Sequence, residues 1–289
     1  MIREHSVLGM NERNIRYIYP YNDRKHYQLA DDKLLTKKIL GKAEIPTPRL
    51  INYYEHYFQL ENLSKDLKNK SNFVIKPARS MGGGGIILFE NYADGYWHTI
   101  TGVKYDPHLI RHHTAMILGG VFSLDNERDV VIVEEKIQLH DELKRISSRG
   151  IPDIRVIVFN KQPLMAMLRL PTKKSGGKAN LHAGGIAVGI KMQSGHTFVN
   201  PNYDKSPEIH PDNGENLCDF QIPFWKDIIK ISEKIVEIVP LGYMGIDFVI
   251  DQRHGPLVLE LNVRPGLEIQ NVNGRGLRKI LQKYQINIK

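Results

Sequence analysis

Short apolar runs set the pattern of this chain. NFVIKPA (72–78) and GIILFE (85–90) are β-rich and are joined by ARSMGGGG. Further strand-like runs are YWHTI (96–100), VVIVEEK (130–136), DIRVIVFN (153–160) and PLMAMLRLP (163–171). Helical spacing appears in three places. In DDKLLTKKILGKAEIPTP, Asp31 or Asp32 can cap a helix, Leu34, Leu35, Ile39 and Leu40 form its apolar face, and Gly41 is a stop signal. Residues 106–120 and the stretch FWKDIIKISEKIVEIVP, with Ile228, Ile229, Ile235 and Val236 in phase, read as two more. The C-terminal part is a hairpin, MGIDFVIDQRHGPLVLELN, followed by a final helix. Antiparallel hairpins with helices between them predict an α+β fold. Residues 1–32, rich in Asn, Arg and Tyr, are expected as an extension packed on the body, with subdomains at 33–133 and 134–289.

Composition changes this picture little. The 289 residues suffice for one large or two modest domains. No run approaches the ~18 apolar residues of a membrane span. The start, MIREHSVLGMNERN, lacks an apolar signal-peptide core, so a cytoplasmic location is expected. Cys218 is the single cysteine, and no cation stands beside it to activate the thiol. Lys and Arg number 40 against 32 Asp and Glu. That excess suits an anionic partner. The basic residues are scattered, so polyphosphate is favoured over nucleic acid.

The hairpin carries the first candidate chemistry. With Arg253 and His254 at its centre, Asp247 lies opposite Glu260, and Asn262 shares the face of Glu260. Two carboxylates and a carboxamide oxygen are hard ligands, few enough to leave room for waters and phosphates, which suits Mg²⁺. The competing reading is a hairpin whose polar residues face solvent.

Lys76 ends a strand before four glycines, Gly82, Gly83, Gly84 and Gly85. Glycines let backbone approach a phosphate, and a lysine beside them is a point charge for it. A flexible turn is the plainer reading. No Gly-Lys-Ser/Thr follows, so this is not a P-loop, and SGGKAN (175–180) has Ala179 where that motif needs a hydroxyl. Arg155 and Arg169 sit inside apolar strands and must meet an anion, either a ligand or a structural carboxylate. His108, His112 and His113 lack a zincin glutamate and read as a polar helix face.

The stretches DDKLLTKKIL, NFVIKPARSMGGGG, IPDIRVIVF, MLRLPT, GKANLHAGG, GYMGIDFVID and GPLVLELNVRPGL together resemble the ATP-grasp superfamily. More closely they resemble its RimK-like α-L-glutamate ligases and the related sugar-transfer-associated proteins. The resemblance implies two α+β subdomains clasping ATP between them. It implies an ATP-dependent carboxylate–amine ligase that forms an amide through an acyl-phosphate. Lys33 and Lys76 would bind the α- and β-phosphates, and the loop 82–85 would close over the triphosphate. Glu135, Lys136 and Ile137 would hold adenine, and Asp141 or Glu142 the ribose. Asp247, Glu260 and Asn262 would bind two Mg²⁺ ions, with Mn²⁺ as a substitute. Arg155, Arg169, Asn180 and His182 would line the phosphoryl-transfer and acceptor region.

Two features depart from the family's pattern. Only 32 residues precede the first helix of this sequence, so the usual full-length N-terminal domain is expected to be missing or replaced. Ala183 stands where RimK-like ligases carry arginine, and Arg264 is the candidate replacement cation. The implied partners are a small-molecule or peptide carboxylate and an amine acceptor, with a homo-oligomer also compatible. The competing functions are an ATP-grasp phosphotransferase, a non-catalytic nucleotide-binding or regulatory module, and a basic nucleic-acid binder.

Overall fold

The computed structural model describes residues 6–80, 83–123 and 126–285. They form two units. The smaller takes Asp32–Lys37 and Pro48–Ile137; the larger takes the chain up to Asp31, Lys38–Thr47 and the chain from Gln138.

The smaller unit is built on six strands: β1 (Leu50–Tyr54), β2 (Phe73–Pro77), β3 (Ile87–Ala93), β4 (Tyr96–Thr99), β5 (Lys104–Tyr105) and β6 (Val131–Glu135). They form one antiparallel sheet in the order β1-β6-β2-β3-β4-β5. Side chains alternate between faces. Phe73, Ile75, Val131 and Val133 therefore join Phe89, Trp97, Ile110 and Ile117 in one core. Ile132, on the other face, packs with Leu34 and Ala78. The helix Pro107–Leu118 is capped by Asp106, whose side chain accepts from Leu109 N at 2.7 Å.

The larger unit carries β7 (Asp153–Phe159), β8 (Gln162–Leu170), β9 (Ile186–Ile190), β10 (Thr197–Phe198), β11 (Tyr243–Asp251) and β12 (Gly255–Asn262). The order is β10-β9-β8-β7-β11-β12, again antiparallel throughout. β7 and β11 are buried along their whole length, which explains their near-continuous apolar sequence. The amphipathic helix Trp225–Ile238 buries Trp225, Ile228 and Ile235. Tyr17 and Ile18 from the N-terminal segment are fully buried in this unit's core, and the Tyr17 ring meets Phe159 edge-on at 5.4 Å.

Of the two candidate caps, Asp32 closes the start of the first long helix, accepting from Leu34 N at 3.0 Å and Leu35 N at 2.9 Å. That helix runs Lys33–Lys42, so Gly41 lies inside it and the turn comes at Glu44, with φ 56°. The hairpin also differs in its turn. Asp251 pairs with Gly255, giving a three-residue loop, and a bulge before Phe248 restores Asp247 opposite Glu260.

Candidate active site

Strand register assembles the main cluster in the larger unit. Arg155 lies opposite Asp247 across β7 and β11. Asp247 lies opposite Glu260, and Gly245 opposite Asn262, across β11 and β12. Asp153 lies opposite Arg169 across β7 and β8. Residues two apart on a strand share a face, so all six polar side chains meet on one side of the sheet. Gly245 makes space there: a Cβ on it would come within 2.7 Å of the Pro265 ring and 3.6 Å of Asn262 Cβ.

The contacts are dense. Arg155 grips Asp247 as a fork, Nε to Oδ1 at 2.7 Å and Nη2 to Oδ2 at 2.5 Å. Arg169 donates from Nη2 to the same Oδ2 at 2.9 Å and from Nε to Asp153 Oδ1 at 2.5 Å. Asn262 Nδ2 lies 3.2 Å from Asp247 Oδ2 and 3.4 Å from Glu260 Oε1. Asp247 is completely shielded from solvent. Burial opposes its ionisation, but Arg155 and Arg169 outweigh that and hold the carboxyl well below its usual range. Burial pushes Asp153 up, to about 6, with Arg169 opposing and Asp247 adding to the rise.

A second cluster lies in the smaller unit. Lys76 is opposite Ile132 and Val74 opposite Glu134, so Lys76 and Glu134 are diagonal neighbours on one face. Lys76 Nζ is 2.7 Å from Glu134 Oε2, and Lys37 Nζ is 2.9 Å from Oε1. Lys37 also donates to the Pro48 carbonyl. The side chains of Lys37, Glu134 and Lys76 are only 9%, 4% and 7% exposed, so water screens them little. Burial depresses Lys37 to about 8 against the pull of Glu134. Lys33 Nζ donates to the carbonyls of Ser80, at 2.8 Å, and Ala78, at 3.4 Å, where the glycine loop begins. Gly83 and Gly85 have φ of 78° and 72°, a backbone that disfavours any side chain. Gly82 lies outside the described residues.

The model of the sugar-transfer associated ATP-grasp family matches residues 12–285. The chain belongs to that family. A cyanophycin synthetase of Crocosphaera subtropica is 25% identical across 87% of this chain and 29% of its own length. A protein named probable alpha-L-glutamate ligase 2, from Hahella chejuensis, is 23% identical across 87% of this chain and 60% of its own. The chain thus spans less than two thirds of the length of these curated relatives. Among solved structures, the phosphoribosylamine–glycine ligase of Thermotoga maritima aligns with a TM-score of 0.55 at 15% identity, over 96% of this chain and 60% of that one. This likeness is one of fold. The α+β ATP-grasp fold expected from the sequence is the fold observed, with one antiparallel sheet in each unit.

The remaining candidate positions of this ATP-grasp chain fall as follows. Glu135, Lys136 and Ile137 end and follow β6; Glu135 pairs with Arg49 at 3.1 Å and Lys136 with Glu90. Asp141 and Glu142 open the helix Asp141–Ile146, exposed, and pair with Lys144 at 2.8 Å and Arg145 at 3.5 Å. Asn180 caps the turn Leu181–Ala183, its Oδ1 accepting from His182 N at 2.9 Å. Exposed Arg264 stacks over the Tyr27 ring, 5.1 Å from its centre. Arg155, Arg169, Asp247, Glu260 and Asn262 are therefore joined in one network, while Asn180, His182 and Arg264 make their described contacts elsewhere.

Among the described residues, no group of three or more His, Cys, Asp or Glu side chains is arranged to hold a metal ion. The hairpin set contains two carboxylates and an amide, which suits a cation that keeps waters and phosphate oxygens in its shell. Asn262 supplies the test of fit. Its amide N–H group faces both carboxylates, the place where a positive charge is favoured. Turned over, the same amide offers an oxygen. Glu260 and Asn262 are half-buried and accessible, and Asp247 backs them from the interior. The set fits Mg²⁺.

Lys37, Glu134 and Asp153 were missed as participants. Glu134 carried a signal: it follows three apolar strand residues and shares a face with Ile132, so a buried charge needing partners was implied.

Proposed function

We propose that this chain is an ATP-dependent, Mg²⁺-requiring ligase that joins a carboxylate to an amine through an acyl-phosphate. The observation that carries this reading is the convergence of Arg155, Arg169, Asp247, Glu260 and Asn262 on one face of one sheet. A carboxylate oxygen of the first substrate attacks the γ-phosphorus of ATP. The bond from that phosphorus to the β,γ-bridging oxygen breaks, and ADP leaves. The amine nitrogen then attacks the acyl carbon, phosphate departs, and the nitrogen loses a proton.

Each residue has a part. Mg²⁺, two ions by resemblance to the family, supplies positive charge to the phosphoryl oxygens when bound. Glu260 and Asn262 offer it oxygens, with Asp247 behind them. Asp247 and Asp153 hold Arg155 and Arg169 in place, so their guanidinium charge faces the reacting groups without reorganising. Lys76 gives one N–H to Glu134 and directs its others to phosphate, with Lys33 beside the same loop. The glycine loop lets backbone approach the triphosphate and excludes water from the acyl-phosphate. Glu135, Lys136 and Ile137 hold adenine, and Asp141 or Glu142 the ribose. Asn180, His182 and Arg264 serve the acceptor.

The test is MgATP turnover by the purified chain against pools of carboxylates and amines, with glutamate included because the Hahella relative is named for it. ADP, phosphate and product masses are scored together. A product lighter by one water than two pool members combined supports the ligase. ADP formed with a stable phosphorylated product and no amide would replace it with a phosphotransferase.

A further inference from the structure

The three histidines of the helix Pro107–Leu118 are not equivalent. His108 and His112 are exposed, whereas His113 turns inward and reaches the glycine loop. Its Nε2 lies 2.9 Å from the Gly85 carbonyl oxygen. A carbonyl only accepts, so Nε2 carries the hydrogen and the neutral ring has its lone pair on Nδ1. Burial holds the imidazole below its usual range, with the Gly85 carbonyl opposing and His112 assisting.

Phe122 completes the grip. Its ring lies 5.3 Å from that of His113. A Cβ on Gly85 would come within 2.7 Å of Phe122 Cγ, so the aromatic ring lies directly against the bare glycine backbone. One residue further on, Ser123 forms an antiparallel bridge with Ser80 at the other end of the loop. The helix and the turn after it therefore touch both ends of the glycine loop. The start is further fixed by Lys33 on the Ser80 carbonyl and by Asp129, whose carboxylate oxygens each accept from Arg79 N at 3.1 Å. The far end is held by His113 and Phe122.

We propose that His113 is a positioning residue of the nucleotide site: through the Gly85 carbonyl, and with Phe122 as the floor, it fixes the far end of the phosphate loop before nucleotide arrives. The inference rests on the reading of Gly83–Gly85 as a phosphate loop. A loop already held in its binding conformation loses less freedom on binding, so the effect belongs to nucleotide affinity more than to the chemical step.

The experiment uses the full chain and MgADP as probe. Hydrogen exchange of the backbone at residues 83–87 is measured without nucleotide, and the MgADP dissociation constant by calorimetry. In His113→Ala, exchange at 83–87 is expected to rise and MgADP to bind roughly fivefold more weakly, the size of one lost hydrogen bond. With turnover in hand, KM for MgATP should rise by a similar factor and kcat change less. His113→Gln, which keeps a donor, should recover part of both effects, and His112→Ala should leave both unchanged. Unchanged exchange in a folded His113→Ala protein overturns the anchor. Faster exchange with unaltered MgADP affinity overturns the positioning role and counts against the phosphate-loop reading. Wild-type protein that does not bind MgADP defeats that reading, and the proposal with it.

Discussion

Glu134 is one buried carboxylate shared by two buried ammonium groups, so the triad carries an excess positive charge away from water. Burial pushes Lys37 down to about 8, while an unfolded lysine titrates near 10.5. Below about pH 8 both states are protonated, and folding bears the full cost of the buried charge. Between about 8 and 10.5 the unfolded chain holds the extra proton, so stability rises with pH there, by roughly 3 kcal/mol in all. Lys37→Met should lack that rise. Urea unfolding should show the variant at least as stable as the parent near about pH 7, with any advantage shrinking by about pH 9.5. Parallel pH profiles would refute the linkage. Glu134→Gln is the opposite case. It leaves two buried cations without a counter-charge and should cost about 3–5 kcal/mol in the same assay.

The β11–β12 hairpin was readable because strand alternation and two polar residues in an apolar run are local signals. The pairing of Asp247 with Glu260 was right, but for an incomplete reason. A two-residue turn was assumed, whereas the loop is Gln252–His254 and the bulge makes up the difference. Nothing local in the sequence announces such compensation. The Lys37–Glu134 contact was equally hidden, since its partners are far apart in the chain and meet only through packing. β1, β5, β9 and β10 went unnoticed for a different reason. They are two to five residues long and take their definition from neighbouring strands. Gly41 marked the end of its helix to within one residue, since the helix stops at Lys42. Gly245 is the glycine that matters to this element. Gly245→Ala should press on the Pro265 ring and shift the hairpin's return strand. A loss of about 1–3 kcal/mol in urea unfolding is expected, together with weaker Mg²⁺-dependent turnover. Wild-type stability would show that Pro265 can move aside.

The division of the chain into two units, each with its own sheet, also divides the chemistry. Lys33, Lys76 and the glycine loop belong to the smaller unit, and Asp247, Glu260, Asn262 and both arginines to the larger. If the proposed roles hold, nucleotide affinity and phosphoryl transfer should respond to different substitutions. Asp247→Asn should abolish most turnover, but it also removes the counter-charge of Arg155 and Arg169, so lost folding would confuse the result. Glu260→Gln separates the two effects. Glu260 is half-buried at the edge of the network, keeps its shape as glutamine, and should fold normally. Its turnover should fall by at least about 100-fold, the scale of losing electrostatic support in a transition state, while ADP measured in EDTA binds as in the parent. Lys76→Ala should show the reverse order, weakening ADP even in EDTA. Were Glu260→Gln to turn over at the parent rate, the metal assignment would fail and the hairpin would revert to a structural salt-bridge network. Were Lys76→Ala to bind ADP normally, the phosphate role of the smaller unit would fail while the carboxylate cluster stood.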